Sequence, residues 1–200
     1  GSNFSARISE LNIGGKDWDI QMPELGNGLE IRSLQFSASG NITMTNNADL
    51  VSAVSTSQAG DWVETTFDFG EDSSMDVLNY IGGAGKELVT IYNFQSGTDR
   101  LGFDGNSSTL TQNTMDATAA ASLIADALGL ASDLSVHDIA VLSEATPQLG
   151  SAVWTYNGDS YLLSSEMENY TNGTFDNGEV IFRFVGITDF GVVSSDFTDL

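Results

Sequence analysis

Short apolar runs, cut about every ten residues by glycine- and asparagine-rich turns, leave this chain little to fold into except strands. Over residues 6–60 the runs Ala6–Ile13, Trp18–Met22, Leu29–Phe36, Asn41–Met44 and Asp49–Val54 are separated by Gly14-Gly15, Gly26-Asn27-Gly28, Ser39-Gly40-Asn41 and Asn46-Asn47. Trp62–Phe69 reads as a strand, and Gly70-Glu71-Asp72-Ser73-Ser74 as a polar turn. From 151 to 193 the pattern is an antiparallel meander. Asn157-Gly158 lies between Val153–Tyr156 and Tyr161–Leu163, and such a dipeptide is the strongest short-range hairpin signal. One helix is predicted, over 115–128. Thr114 caps it, Asp116 complements its dipole and Gly129 stops it, with Ala120, Leu123, Ile124, Ala127 and Leu128 forming an apolar stripe suited to lying on a sheet. The fold class is therefore mainly β (α+β), an antiparallel β-sheet or sandwich with one packed α-helix. Leu29, Ile31, Leu34 and Phe36 interrupt strict alternation, so the inward face of that strand is not fixed by pattern. The chain is read as one mostly-β domain over 1–200, with a sub-boundary near 60 dividing a β-rich 3–60 from 61–200.

Composition narrows the partners. Apolar residues make up 40% of the 200, enough for a core. The 28 acidic residues face six Lys and Arg, a net charge of -22. Nucleic acid and anionic membrane surfaces would be repelled, and cations attracted. Self-repulsion of this size opposes compaction, and a divalent cation that binds only the folded state would offset it. With no cysteine, disulfides and thiolate metal sites are excluded. No apolar run reaches the roughly 18 residues that cross a membrane. Gly1-Ser2-Asn3-Phe4 lacks the character of a signal peptide, and the chain is expected to be a piece of a longer protein.

Gly82-Gly83-Ala84-Gly85-Lys86-Glu87-Leu88-Val89-Thr90 matches one G-G-x-G-x-D-x-U-x nonapeptide, with Glu87 in the Asp slot and Val89 in the apolar slot. Glycines let the backbone turn tightly, a carboxylate supplies charge for a cation, and the apolar residue points inward. An apolar strand, a turn at Ser96-Gly97-Thr98-Asp99 and a second short strand follow. Together, Glu87, Val89, Phe94, Gly97, Asp99, Leu101 and Phe103 resemble the step from calcium β-roll to terminal cap in RTX (repeats-in-toxin) exoproteins and large adhesins exported by type I secretion. The resemblance covers 82–105 and, more loosely, the tail from Val153. It implies a degenerate β-roll turn, calcium, secretion through a type I apparatus and a location outside a bacterial cell or on its surface. Lys86 and the Glu in place of Asp depart from the pattern, and Ser194–Leu200 matches the family's terminal export signal only in part.

Asp76-Val77-Leu78 resembles a second copy of Glu87-Leu88-Val89. If the two stack, Asp76 and Glu87 sit on adjacent rungs about 4.8 Å apart and invite a cation, with Asp68 and Asp72 contributing from the loop. Asp99 and Asp104 follow on the next turn and strand. A second acidic loop offers Asn172, Asp176 and Glu179, which Asp159 could join. Its spacing is not that of an EF-hand, because position twelve from Asn172 is Arg183. These residues, Asp68, Asp72, Asp76, Glu87, Asp99, Asp104, Asn172, Asp176 and Glu179, are the candidate calcium ligands.

No catalytic residue is assigned. The single histidine, His137, has no nucleophile context. Gly82–Lys86 fails as a phosphate loop, since Tyr80 replaces its first Gly and Glu87 its Ser or Thr. The expected function is a non-enzymatic C-terminal folding cap and secretion module. The alternative is an extracellular adhesin or glycan-binding module using Trp18 or Trp62 against a cell-surface glycan or surface-layer component, and a small hydrolase ranks below both.

Overall fold

The computed structural model describes residues 11–13, 18–21, 30–44, 50–103, 139–141, 151–165, 175–187 and 197–198. Within them the strands fall into two sheets. The first contains β1 (Leu11–Ile13), β3 (Glu30–Phe36), β5 (Leu50–Ser55), β7 (Val77–Ile81), β9 (Arg100–Phe103) and β14 (Phe197–Thr198), in that spatial order and all parallel. In the second, β2 (Trp18–Gln21), β4 (Gly40–Thr43), β6 (Trp62–Asp68), β8 (Lys86–Tyr92) and β13 (Glu179–Phe184) are parallel. Beyond β13 that sheet continues antiparallel through β12 (Asp159–Ser165), β11 (Ser151–Tyr156) and β10 (Ile139–Val141).

The chain therefore coils, laying one strand in the first sheet and the next in the second, from β1 to β9. The antiparallel reading of the first half is corrected accordingly; it holds in the tail, for β10–β13. Short strands punctuated by turns suit both arrangements. What separates them is whether a turn returns a strand to its neighbour or carries it across to a facing sheet, and turn composition alone does not say. Val51 sits opposite Leu78 and Leu78 opposite Leu101, while Phe67 sits opposite Ile91. The pairing β4–β6 and β5–β7 carries both sheets across residue 60.

The core lies between the sheets. Alternate residues of β5 to β8 point into it: Val51 and Ala53 on β5, Leu78 and Tyr80 on β7, Val63 and Phe67 on β6, Val89 and Ile91 on β8, all at most 1% exposed. Tyr80 joins the two sheets. Its ring lies 5.9 Å from Phe36 in its own sheet, and 6.2 Å and 5.5 Å, both edge-on, from Phe67 and Phe182 in the other. The interrupted alternation of β3 is a register irregularity between Ile31 and Leu34. Asn157 and Gly158 take positive φ of 49° and 87°, the turn that a two-residue hairpin needs. No helix occurs among the described residues, and 115–128 lies outside them.

Candidate functional site: carboxylates at the two ends of the coil

Among the described residues, the passages between the sheets are turns, and they stack at two ends. At one end, 56–61, 82–85 and 175–178 are piled on each other. Ala84 N–H donates to Ser57 O (2.9 Å), Lys86 N–H to Asp61 O (2.9 Å) and Gly178 N–H to Gly85 O (2.8 Å). The glycines of the nonapeptide are required by this approach. A Cβ on Gly83 would meet Ser57 Oγ at 2.3 Å and Ser57 N at 2.7 Å, and one on Gly85 would meet Asp61 O at 2.9 Å. Neither residue is among the glycines with positive φ, so crowding, and not backbone strain, selects Gly here.

Inside this end sits Glu87, fully buried at 0% exposure. Its Oε1 accepts from Ser57 Oγ (2.6 Å), Gly83 N (3.1 Å) and Ser55 Oγ, and its Oε2 from Tyr80 OH (2.9 Å). Ser57 Oγ in turn accepts from Gly85 N at 2.9 Å. The carboxylate ties one turn of the coil to the previous one, and its four donors satisfy it without a counter-cation. Burial pushes the Tyr80 phenol well above its usual pKa, and the Glu87 charge and hydrogen bond add to this, while the Thr65 hydroxyl acts the other way.

The stacking proposed for Asp76 and Glu87 does not occur. Asp76 precedes β7 in the first sheet, whereas Glu87 is on β8 in the second, paired with Val63 and Val180. Because successive strands alternate sheets, residues eleven apart fall on opposite walls of one turn rather than on adjacent rungs.

At the other end the turns 69–76 and 93–99 lie together. Asp99, 1% exposed, accepts from Asp76 N (3.0 Å) and Gln95 N (2.7 Å), and Arg100 N–H donates to Asp76 O (2.9 Å). Burial raises the Asp99 pKa; the two backbone donors lower it, the nearby Asp72 charge raises it further and Arg100 lowers it. Asp72 Oδ1 accepts from Ser74 N at 2.5 Å, while its Oδ2 is buried with no hydrogen-bond partner among the described residues. Asp68 Oδ1 accepts from Gly70 N (3.0 Å) and from Asn93 Nδ2 (2.7 Å), steadying Asn93 at φ 59°. Gly97 takes φ 85°.

The third acidic turn belongs to the first end. Glu179 is 5% exposed, and its Oε2 accepts from Asp176 N at 2.6 Å. Burial raises its pKa, with the Asp176 N–H bond lowering it, the Asp176 charge raising it and Lys86 lowering it. Asp176 itself is exposed. Asp159, grouped with this loop by sequence, is engaged elsewhere: its Oδ2 takes Arg183 Nη2 (2.6 Å) and Nε (2.7 Å), and its Oδ1 takes Gly186 N (2.8 Å). A guanidinium already occupies the place a cation would take.

The candidate ligands thus divide. Asp68, Asp72, Asp76 and Asp99 share the end formed by 69–76 and 93–99. Glu87, Asp176 and Glu179 lie at the glycine-seated end, and Asp104 and Asn172 fall outside the described residues. Among the described residues, no three Asp, Glu or His side chains are grouped so as to hold a metal ion. The residues missed from sequence are the donors Ser55, Ser57 and Tyr80. Their signal is slight: a Ser-x-Ser pair one turn of coil before the glycines, and a tyrosine in an otherwise aliphatic inward position. No family model, no curated protein and no solved structure matches the chain.

Proposed function

We infer that the chain is a non-enzymatic folding cap and secretion module of an exported bacterial RTX-type protein, stabilised by calcium and acting outside the cell or at its surface. One observation carries the reading: a coil of parallel strands that is brought to a close. β13 is the last parallel strand beside β8, and β12, β11 and β10 follow it antiparallel, so the second sheet passes from coil to meander at that point. A cap must end such a coil without leaving a flat edge that would template further strands. The finer features of the reading are a degenerate β-roll turn at 82–90 and the 115–128 helix packed on a sheet. Inside the cell the partner would be a type I secretion apparatus.

Calcium suits one end of the coil and not the other. Glu87 is already saturated by four donors. Asp72 leaves a buried oxygen without a partner among the described residues, near a second desolvated carboxylate, Asp99, and hard cations favour oxygen ligands. Asp72 and Asp99 would be the first ligands; Asp68 and Asp76, at the same end but not grouped with them as a ligand set, would have to close in as the ion binds. It would supply positive charge where this end has an excess of carboxylate, and the chain would fold on meeting calcium outside the cell. The test is a calcium titration of chelator-treated protein by isothermal calorimetry and near-ultraviolet circular dichroism, with magnesium as control. Saturable heat with a gain of tertiary signal supports the reading. A protein fully folded in chelator and silent to calcium overturns it.

A further inference from the structure

The outward faces of β6 and β8 carry a feature that neither capping nor calcium uses. Trp62 is 42% exposed at one end of this strip and Tyr92 is 42% exposed at the other. Trp62 lies opposite Lys86, and Tyr92 comes six residues later on the same strand, so the two rings stand roughly 20 Å apart along the sheet. Between them the outward positions are Glu64 and Thr66 on β6 and Leu88 and Thr90 on β8; Glu64, Thr66 and Thr90 are at least partly exposed, while Leu88, opposite Glu64, is 8% exposed. Thr66 faces Thr90 across the strand pair.

The Trp62 ring is fixed in place. Its Nε1–H donates to Glu64 Oε1 at 2.7 Å, and Phe175 meets it at 5.5 Å with planes at 89°. A large, half-exposed indole with its orientation set in advance costs little entropy to use as a contact surface. A protein partner would favour an exposed apolar centre depleted of charge, but here the one apolar residue of the centre, Leu88, is 8% exposed, the accessible groups are hydroxyl and carboxylate, and the aromatics are at the ends. That arrangement fits a chain of pyranose rings, which offers apolar C–H faces to aromatic rings and hydroxyls to everything between. A net charge of -22 selects further, because a uronate or sulfated polymer would be repelled.

We propose that the strip from Trp62 to Tyr92 on the outer face of β6 and β8 binds a neutral polysaccharide, with Trp62 and Tyr92 stacking on sugar rings and Glu64, Thr66 and Thr90 bonding hydroxyls. The proposal does not depend on calcium. It is tested by affinity gel electrophoresis of the whole chain through hydroxyethylcellulose, laminarin, galactomannan or dextran, with alginate as the anionic counterpart. The expected result is retardation by at least one neutral polymer and none by alginate. Trp62→Ala should weaken retention about tenfold, and Tyr92→Ala should weaken it as well. Thermal unfolding of each variant reports whether it folds; should Trp62→Ala not fold, Thr66→Arg, which blocks the middle of the strip from an exposed position, replaces it with the same expectation. Free migration in all four neutral polymers overturns the proposal. So does retention equally strong in alginate, or retention that the folded variants leave unchanged.

Discussion

Glu87 offers the sharpest test of how this coil is held together, because two substitutions at one position should behave very differently. In Glu87→Ala the Tyr80 hydroxyl, buried between the sheets, loses its acceptor, and Ser55, Ser57 and Gly83 lose theirs. An unsatisfied buried donor costs about 1–3 kcal/mol. Ser57 Oγ still accepts from Gly85 N and Ser55 Oγ from Ser57 N, but neither bond satisfies the hydroxyl hydrogens, and only rotation of those hydroxyls to other acceptors lowers the cost on the serines. Relief from holding a desolvated carboxylate offsets a further part. A net loss of about 4 kcal/mol is expected, most of a small domain's stability. In Glu87→Gln the amide oxygen can take over the three Oε1 donors, and the amide nitrogen can donate to a Tyr80 hydroxyl turned towards Thr65. The expected loss is about 1 kcal/mol. Urea unfolding in chelator, with the slope checked for constancy, measures both. A Glu87→Gln variant as damaged as Glu87→Ala would show that charge itself is essential at this position. A Glu87→Ala variant within about 1 kcal/mol of the parent would show that the hydrogen-bonded cluster is dispensable. Either result refutes the reasoning.

Gly83→Ala places a methyl group 2.3 Å from Ser57 Oγ and 2.7 Å from Ser57 N, and the backbone there cannot yield without breaking the Ala84–Ser57 bond; a loss of about 3 kcal/mol is expected in the same urea assay. Asp99 and Glu179 both have folded-state pKa values raised by burial, so the folded chain holds their protons more firmly than the unfolded chain does. Their contribution is fully present below the ordinary carboxylate pKa and is lost as pH rises through the raised values, so stability in chelator should fall from acid towards neutral pH, and Asp99→Asn should flatten that slope. If the calcium reading holds, Asp72→Asn should abolish calcium-dependent stabilisation measured by thermal unfolding, while Glu87→Gln retains it.

Some of this was legible in the sequence and some was not. The hairpin at Asn157-Gly158, the β character of the runs and the irregularity near Ile31–Leu34 follow from local chemistry, and local chemistry is what a sequence displays directly. Gly82, Gly83 and Gly85 are visible as a motif, but the cause of Gly83 and Gly85 is the 57–61 turn one turn of coil away, and that of Gly82 is the Val180 side chain on β13, contacts that no spacing within 82–90 encodes. Parallel pairing was hidden for the same reason. Strand partners such as Phe67 and Ile91 are separated by a whole turn of coil, and a run of alternating residues reads the same whichever neighbour it meets. Glu87 was recognised as a special carboxylate, but its surroundings were not: its partners Ser55 and Ser57 lie on the preceding turn, and Tyr80 on the facing sheet.

The two ends of the coil solve the same problem in opposite ways. Each must bring acidic side chains close to a stack of turns in a chain whose charge already opposes compaction. At the glycine-seated end, the absence of side chains at Gly83 and Gly85 lets the turns approach until hydroxyl and amide groups reach Glu87, and the charge is absorbed by neutral donors. At the other end, Asp99 has two backbone donors, yet Asp72 adds a second charge nearby and an oxygen with no donor among the described residues. Electrostatic cost is therefore not spread evenly along the coil. Around Glu87 the first end is self-sufficient, although Glu179 there still gains from a proton, and the second end is where added cations have the most to gain.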